Sequence, residues 1–276
     1  MGIVAIDLAP VKISLEKIHN LLKNGLLGST LLDLSIIIVN WNVRDLLDRC
    51  LASVYAIKPE LSVEVIVVDN ASQDNSVAMV QEKYPRTILI ANTENAGFCR
   101  GNNQGIAVSR GEIVALLNPD TEVRSGAMES MVSVLRTNPN AGIVGPTLLT
   151  SEGRPEPNGT RFPTTAYELG KAFRLERFLG IEYDFTGYDD PERPKTVWNV
   201  DVVCGACMVI RRAVLDEIGG LDEQLFMFYE ETDFCLRAHR AGWNTVYLPA
   251  AHVYHHWMGS VRQDEIRAAR RFFRSR

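Results

Sequence analysis

The chain has 276 residues, of which 46% are hydrophobic, and a formal net charge of −5 at pH 7. This length supports one substantial α/β core, or a core with a smaller lobe. The acidic balance argues against a general nucleic-acid-binding protein, which normally has a basic surface.

The cysteines and the apolar runs predict a cytoplasmic protein. Five cysteines, an odd number scattered through apolar stretches, are typical of reduced thiols. Cys204 and Cys207 form one C-x-x-C with no second pair to complete a zinc site, so we expect them to be buried in a strand. The unbroken apolar runs are too short to span a bilayer, and the N-terminus lacks signal-peptide features. Contact with a membrane surface stays open.

Residues 1–33 have the pattern of an N-terminal helical appendage. Ile13, Ile18, Leu22 and Leu26 recur at near-helical spacing, with lysines between them. Such a helix could pack on the core, contact a partner or lie at a membrane interface, and packing on the core is the commonest fate of an amphipathic stripe.

A regular alternation of strands and helices begins at Leu34. The predicted strands cover residues 35–39, 63–68, 87–91 and 113–117, and the predicted helices cover 46–54, 76–84 and 102–109. Continuous apolar strands that alternate with helices indicate a parallel sheet covered on both faces. This half of the chain is therefore predicted to be doubly wound and to bind a nucleotide.

The pattern changes near Gly142. Proline and glycine become frequent over residues 146–163, and residues 183–194 are polar, so both stretches are predicted to be loops around an acceptor groove. A strand over 200–210, helices over 211–218 and 231–241, and a strand-like segment over 246–256 follow.

Polar side chains follow each of the first four strands, and ligands bind beyond the carboxyl ends of strands in a doubly wound sheet. The residues are Asn40 and Asn42, Asp69 and Asn70, Asn92 and Asn95, and Asn118 and Asp120. One such Asp can simply cap the next helix. Four successive strand ends of this kind indicate a shared binding site.

The sequence lacks the G-x-G-x-x-G fingerprint and the G-x-x-x-x-G-K-[ST] phosphate loop. What remains suits a diphosphate held by a divalent cation, because Mg²⁺ and Mn²⁺ prefer carboxylate and phosphate oxygens. Asp120 can supply the carboxylate.

These motifs resemble those of family two glycosyltransferases with the GT-A fold, particularly the bacterial rhamnosyltransferase-like branch. The resemblance rests on residues 35–42, 67–72, 95–98, 101–105 and 117–122, and then on 205–208, 219–222, 228–237, His255 and Ser260. They cover roughly residues 34 to 262 in the expected order.

The resemblance implies roles for the strand-end residues. Asp69 would hold the base or ribose of the donor, with Asn95 nearby. Asp120 would take the last position of the D-x-D metal motif and, with His255, would bind Mg²⁺ or Mn²⁺. Asn118 stands at the first position of that motif, where some members have a second carboxylate.

Three acids begin the helix predicted after the second set of loops. Glu230, Glu231 and Asp233 are interleaved with aromatic residues, and shielding together with mutual repulsion should raise one carboxyl pKa towards that of a useful base. The resemblance assigns the base to Glu231, where an Asp is usual in the family. A solvated acidic helix start is the alternative.

The expected organisation is an appendage (1–33), a GT-A domain (34–262) and a basic helix (263–276), which is either solvated or bound to an anionic membrane. Within the domain, residues 34–141 would bind the nucleotide sugar and 142–262 the acceptor. The resemblance implies inverting, metal-dependent transfer from dTDP-rhamnose or a UDP-hexose to an envelope glycan or a polyprenyl-linked acceptor. The alternatives are a non-catalytic nucleotide-sugar-binding module and a nicotinamide-dependent oxidoreductase.

Overall fold

A computed structural model describes residues 32–57, 60–156, 158–163, 196–225 and 229–256. These residues belong to one compact unit that begins at Leu32. The predicted appendage, apart from its last two residues, and the basic C-terminal helix lie outside the described residues, as do Phe228 and Ser260.

The described residues form twelve strands and six helices. The strands are β1 (Leu32–Asn40), β2 (Val63–Asp69), β3 (Ile88–Ala91), β4 (Gly111–Leu117), β5 (Thr121–Val123), β6 (Ala141–Leu149), β7 (Pro155–Glu156), β8 (Gly159–Thr160), β9 (Trp198–Val200), β10 (Val202–Val203), β11 (Cys207–Arg211) and β12 (Asn244–His255). The helices are α1 (Arg44–Tyr55), α2 (Ser76–Lys83), α3 (Phe98–Val108), α4 (Ala127–Thr137), α5 (Arg212–Ile218) and α6 (Glu230–Arg240).

One mixed sheet joins both halves of the domain. Its strand order is β3-β2-β1-β4-β11-β6-β12-β5, with β7 beside β6 and β9 beside β12. The first four strands are mutually parallel, as predicted. Strand β11 then runs antiparallel between β4 and β6, so the second half departs from a purely parallel pattern. Strands β8 and β10 form a separate two-stranded sheet.

Successive residues of β1 face opposite sides of the sheet, as the period of a strand requires. Ile36 and Ile38 belong to the buried cluster that includes Leu47 of α1 and Met131 of α4. On the other face, Ile37 and Val39 are the neighbours of two α3 glycines, described below. The sheet is therefore covered on both faces, as the apolar runs predicted.

The glycines of α3 let the helix approach the sheet closely. A Cβ atom at Gly101 would lie 2.8 Å from Cγ1 of Val39, and one at Gly105 would overlap Cγ2 of Ile37. Such distances are shorter than side-chain packing allows. This close approach sets the N-terminus of α3 beside the carboxyl end of β1.

The loop predicted over residues 146–163 is partly wrong. Residues 141–149 form strand β6, all of it buried, and Pro146 pairs with Leu248 of β12. Gly145 is a packing position rather than a turn, because a Cβ atom there would lie 2.6 Å from Cγ1 of Val203. The predicted loop stretch 183–194 lies outside the described residues.

The single strand predicted over 200–210 is also wrong. Asp201 separates β9 from β10, and the turn at Gly205 separates β10 from β11. The three short strands pair with three different partners, β12, β8 and β4. An apolar run in the sequence does not show where the chain stops pairing with one strand and begins to pair with another.

All five cysteines are free thiols, and Cys207 is buried in β11 while Cys204 is half-buried just after β10. Along the described part of the chain, no helix is long and apolar enough to cross a membrane.

Candidate active site

The ends of β1 and β2 are joined by buried polar side chains. The Asn40 amide donates to Oδ2 of Asp69 at 2.8 Å and to Oγ of Ser72 at 3.1 Å. The other carboxylate oxygen of Asp69 accepts from the backbone N–H of Ser72 at 2.8 Å. Asn40 and Asp69 are almost completely buried. The carboxylate is thus held rigidly at the strand end.

Asn42 continues this arrangement into the two loops. It adopts a left-handed backbone with φ of 52°, its N–H donates to Ser72 Oγ, and its Oδ1 accepts from the N–H of Gln73. The loops after β1 and β2 are therefore tied together. Ser72 was not predicted as a site residue, although it lies within residues 67–72, one of the stretches that carry the resemblance.

A second group of amides links the ends of β2 and β3 to α3. Asn70 donates to the carbonyl of Gly97 at 3.1 Å and accepts from Asn92 at 2.9 Å. The side chains of Asn92 and Gln104 exchange two hydrogen bonds. Oδ1 of Asn95 accepts from the N–H of Gly97 at 3.0 Å, which shapes the turn into the helix.

The end of β4 brings Asp120 next to His255. The Nε2 atom of His255 lies 3.5 Å from Oδ1 of Asp120, and both side chains are buried. The pairing of β5 with β12 sets His255 opposite Thr121, and the N–H of His256 donates to the carbonyl of Asp120. The two candidate metal ligands thus meet through backbone pairing.

Asn118 serves the backbone of the same loop. Its N–H donates to the carbonyl of Ala206, and its own carbonyl accepts from the Thr121 hydroxyl. These contacts connect the end of β4 to the start of β11. They concern only the main chain of Asn118, so its side-chain role stays a prediction.

The residues present fit a divalent cation. Two ligand atoms, each about 2.1 Å from one ion at tetrahedral to octahedral angles, are about 3.0–3.5 Å apart, and the Asp120–His255 separation falls in this range. Among the described residues there is no group of three or more His, Cys, Asp or Glu side chains that could hold a metal. A cation here would need additional oxygen ligands, such as those of a diphosphate.

The three acids lie in the first turn of α6 and differ in their surroundings. Glu230 is buried, and Glu231 is partly buried. Burial raises the pKa of the Glu231 carboxyl above 4.5, whereas its own backbone N–H and the Thr232 hydroxyl act in the opposite direction. Asp233 instead forms an ion pair with Arg237, with 2.8 Å between Oδ2 and Nε. Glu231 thus combines partial burial with a raised carboxyl pKa.

Cys204 lies near both the acids and the metal candidate. Burial, followed by the charges of Glu231, Glu230 and Asp120, raises the pKa of its thiol to about 12. These charges act on the Cys204 thiol in the same direction as its burial. Next to it, a Cβ atom at Gly205 would be in ordinary contact with the acids, 3.5 Å from Oε1 of Glu230 and 3.8 Å from Cβ of Glu231, so this turn lies against the start of α6.

The fold and this arrangement define a class of protein. The mixed α/β sheet is that of the GT-A fold, which solved structural neighbours share. The chain matches the model of "Glycosyl transferase family 2" over residues 35–219, and it belongs to that family. It is accordingly a glycosyltransferase, and the oxidoreductase alternative is wrong.

Two relatives support this assignment, and a solved structure shares the fold. The N-acetylglucosaminyl-diphospho-decaprenol L-rhamnosyltransferase of Mycobacterium tuberculosis is 28% identical over 84% of this chain and 78% of its own length. The low-salt glycan biosynthesis hexosyltransferase Agl10 of Haloferax volcanii is 31% identical over 77% of this chain and 63% of its own. The crystal structure of GalNAc-T7 with UDP, GalNAc and Mn²⁺ has a TM-score of 0.62 at 15% identity, covering 83% of this chain and 44% of that one.

Proposed function

We propose that the protein is an inverting, metal-dependent glycosyltransferase that moves rhamnose or another hexose from a nucleoside-diphosphate donor to an acceptor hydroxyl. The observation that carries this proposal is that one turn contacts both groups. A Cβ atom at Gly205 would lie 3.8 Å from Cβ of Glu231, and the carbonyl of the neighbouring Ala206 accepts from the N–H of Asn118, two residues before Asp120. A base and a diphosphate-binding group on one site are what single-displacement transfer requires.

The strand-end residues and His255 would bind the donor and the cation. Asp69, with Asn40, Asn42, Asn70 and Asn95 around it, would bind the nucleoside. Asn118 and Asp120 would lie beside the diphosphate, and Asp120 and His255 would hold Mn²⁺ or Mg²⁺. When bound, the cation would neutralise charge on the departing diphosphate. A nitrogen ligand is less usual for Mg²⁺, so Mn²⁺ is the better candidate.

Glu231 would act on the acceptor. Its carboxylate accepts the proton of the acceptor hydroxyl while that oxygen bonds to the anomeric carbon and the bond from this carbon to the diphosphate breaks. The nucleoside diphosphate leaves with the bonding electrons, and the configuration at the anomeric carbon inverts. A base with a raised pKa is closer to the pKa that this proton transfer favours.

The domain limits and the partners belong to the same proposal. Residues 34–141 would bind the nucleotide sugar, and 142–262 the acceptor. The name of the Mycobacterium tuberculosis relative points to a polyprenyl-linked acceptor and a rhamnosyl donor, and a UDP-hexose is the second donor candidate. A cytoplasmic protein that touches the inner face of the membrane, through residues 263–276, would meet such an acceptor there.

The test is transfer with defined substrates. dTDP-rhamnose and UDP-hexoses would be incubated with a short polyprenyl-diphosphate-linked N-acetylglucosamine, with Mn²⁺ or with EDTA. The proposal expects one donor to react only with the metal and the product anomer, determined by NMR, to be inverted. A retained configuration, or full turnover in excess EDTA, would rule out the mechanism. Donor binding without turnover across the acceptor panel would favour the binding module.

A further inference from the structure

Residues 218–221, which we call the bridge segment, lie between α3 and α6. From α3, Asn103 pairs with this segment as a strand would: its Nδ2 donates to the carbonyl of Leu221 at 2.8 Å, and its Oδ1 accepts from the Leu221 N–H at 2.9 Å. A third bond, at 3.0 Å, goes to the exposed carboxylate of Glu223. One side chain thus satisfies both backbone groups of Leu221.

From α6, Arg237 binds the same segment. Its Nη1 donates to the carbonyl of Ile218 and its Nη2 to the carbonyl of Gly220, both at 2.9 Å. Its Nε donates to Asp233 at 2.8 Å, and the guanidinium lies over the Phe234 ring. All three guanidinium nitrogens therefore donate hydrogen bonds, and the bond to Asp233 fixes the orientation of the guanidinium.

The bridge segment needs glycine at both central positions. A Cβ atom at Gly220 would overlap Oδ1 of Asn103. Gly219 has φ of 77°, in the region that favours glycine. The backbone can therefore approach Asn103 and Arg237 closely enough to be bonded by both.

The two linked helices carry the two halves of the site. Helix α3 starts at Phe98, next to the Gly97 carbonyl that Asn70 binds at the end of β2. Helix α6 starts with Glu230 and Glu231. Both helices are bonded to the bridge segment, α3 through Asn103 and α6 through Arg237.

We infer that Asn103 and Arg237, acting through residues 218–221, are positioning residues that fix the Glu231 carboxyl relative to the bound donor. Asp233 belongs to this set because it orients Arg237. The inference rests on the proposed function, since it presumes that Glu231 accepts the proton. It assigns Asp233 a role that does not require it to titrate.

The experiment compares Asn103→Ala, Arg237→Lys and their combination. A base displaced by about 1 Å can cost about a hundredfold in rate, so each single variant should lower kcat about 10- to 100-fold while donor Kd stays within about threefold. The double variant should be no slower than the slower single one, because both act through one segment. Asp233→Asn should lower kcat without moving the pH of half-maximal activity.

Two controls separate positioning from a loss of stability. Arg211 also binds backbone carbonyls, those of Leu135, Asn138 and Ala141, but at the far end of β11. Arg211→Lys should lower Tm and leave kcat near the wild-type value. Glu223→Ala removes only the exposed bond of Asn103 and should also keep kcat.

Three kinetic outcomes would overturn the inference. They are a loss of kcat in Arg237→Lys no larger than in Arg211→Lys, effects of the single variants that multiply in the double variant, and a shifted pH midpoint in Asp233→Asn.

Hydrogen exchange gives a readout that needs no turnover. Asn103→Ala should speed exchange at the Leu221 amide and also at the Asp233 amide of α6. A change confined to Leu221 would refute the link between α3 and α6 through the bridge segment. A wild-type protein inactive with every donor would instead defeat the proposed function, and exchange would still decide the link.

Discussion

Oδ1 of Asp120 lies 3.5 Å from Nε2 of His255. Asp120 follows the central strand β4, whereas His255 ends β12, near the edge of the sheet. The antiparallel pairing of β5 with β12 carries the chain from one to the other. The separation is therefore built into the backbone of the sheet, and it leaves one carboxylate and one imidazole facing each other in a buried place.

The first prediction concerns the metal. Asp120→Asn should weaken binding of the donor diphosphate in Mn²⁺ by at least tenfold, because it removes the charged ligand while keeping the size of the side chain. Calorimetric titration of the nucleoside diphosphate with Mn²⁺ and with EDTA measures this. Glu112→Gln, at the opposite end of β4, is the control and should bind normally. Equal affinity of Asp120→Asn and wild type in Mn²⁺ would remove the metal site from this position.

The second prediction concerns the nucleoside. Asp69→Ala should weaken the nucleoside diphosphate by about 1.5–3 kcal/mol, the usual range for a charged hydrogen bond. It should also lower the free energy of unfolding by about 1–3 kcal/mol, because the buried side-chain amide of Asn40 and the half-buried backbone N–H of Ser72 lose their acceptor. Titration and urea denaturation measure the two effects. An unchanged dissociation constant would place the nucleoside elsewhere.

The third prediction concerns the base. Glu231→Gln should lower kcat by about 10²–10⁴, because it removes the proton acceptor and keeps the shape. Donor affinity should stay within about threefold, since the carboxylate acts on the acceptor. Glu230→Gln is the matched control and should be milder. Normal turnover by Glu231→Gln, with a pH midpoint that shifts in Asp233→Asn, would transfer the role of base to Asp233.

The fourth prediction is a pH dependence of stability. The pKa of Glu231 is raised above 4.5 in the folded protein by burial. The folded state therefore binds this proton more tightly than the unfolded state does. The contribution of Glu231 to the free energy of unfolding is fully present below the pKa of the unfolded state, and it is lost as the pH rises through the pKa of the folded state. Glu231→Gln should accordingly have a higher Tm than wild type at neutral pH, and the difference should shrink towards pH 4. A Tm difference that does not vary with pH would contradict the buried carboxylate.

The first half of the fold was predictable because its signals are local. Runs such as 35–39 and 63–68 are apolar without interruption, and only a strand buried on both faces needs that pattern. The polar residues after these strands, including Asn40 and Asp69, are brought together as expected. Parallel strands have their carboxyl ends at the same edge of the sheet, so the residues that follow them meet there.

The second half was harder because its signals are tertiary. Gly145 and Pro146 are turn formers by local chemistry, yet they lie in the buried strand β6, where β11, β12 and Val203 of β10 surround them. The short strand β5 and helix α4 were missed altogether. The ion pair of Asp233 with Arg237 was also missed, although its i,i+4 spacing on a helix is a recognisable signal.

Strand β11 has a mechanical consequence. Its antiparallel bonds to β4 on one side and to β6 on the other join the two halves of the domain by backbone pairing. A hinge between the halves would have to break that ladder in the buried centre of the sheet. The two halves therefore share one continuous backbone frame, and we expect any movement during substrate entry or product exit to occur outside the ladder of β4, β11 and β6.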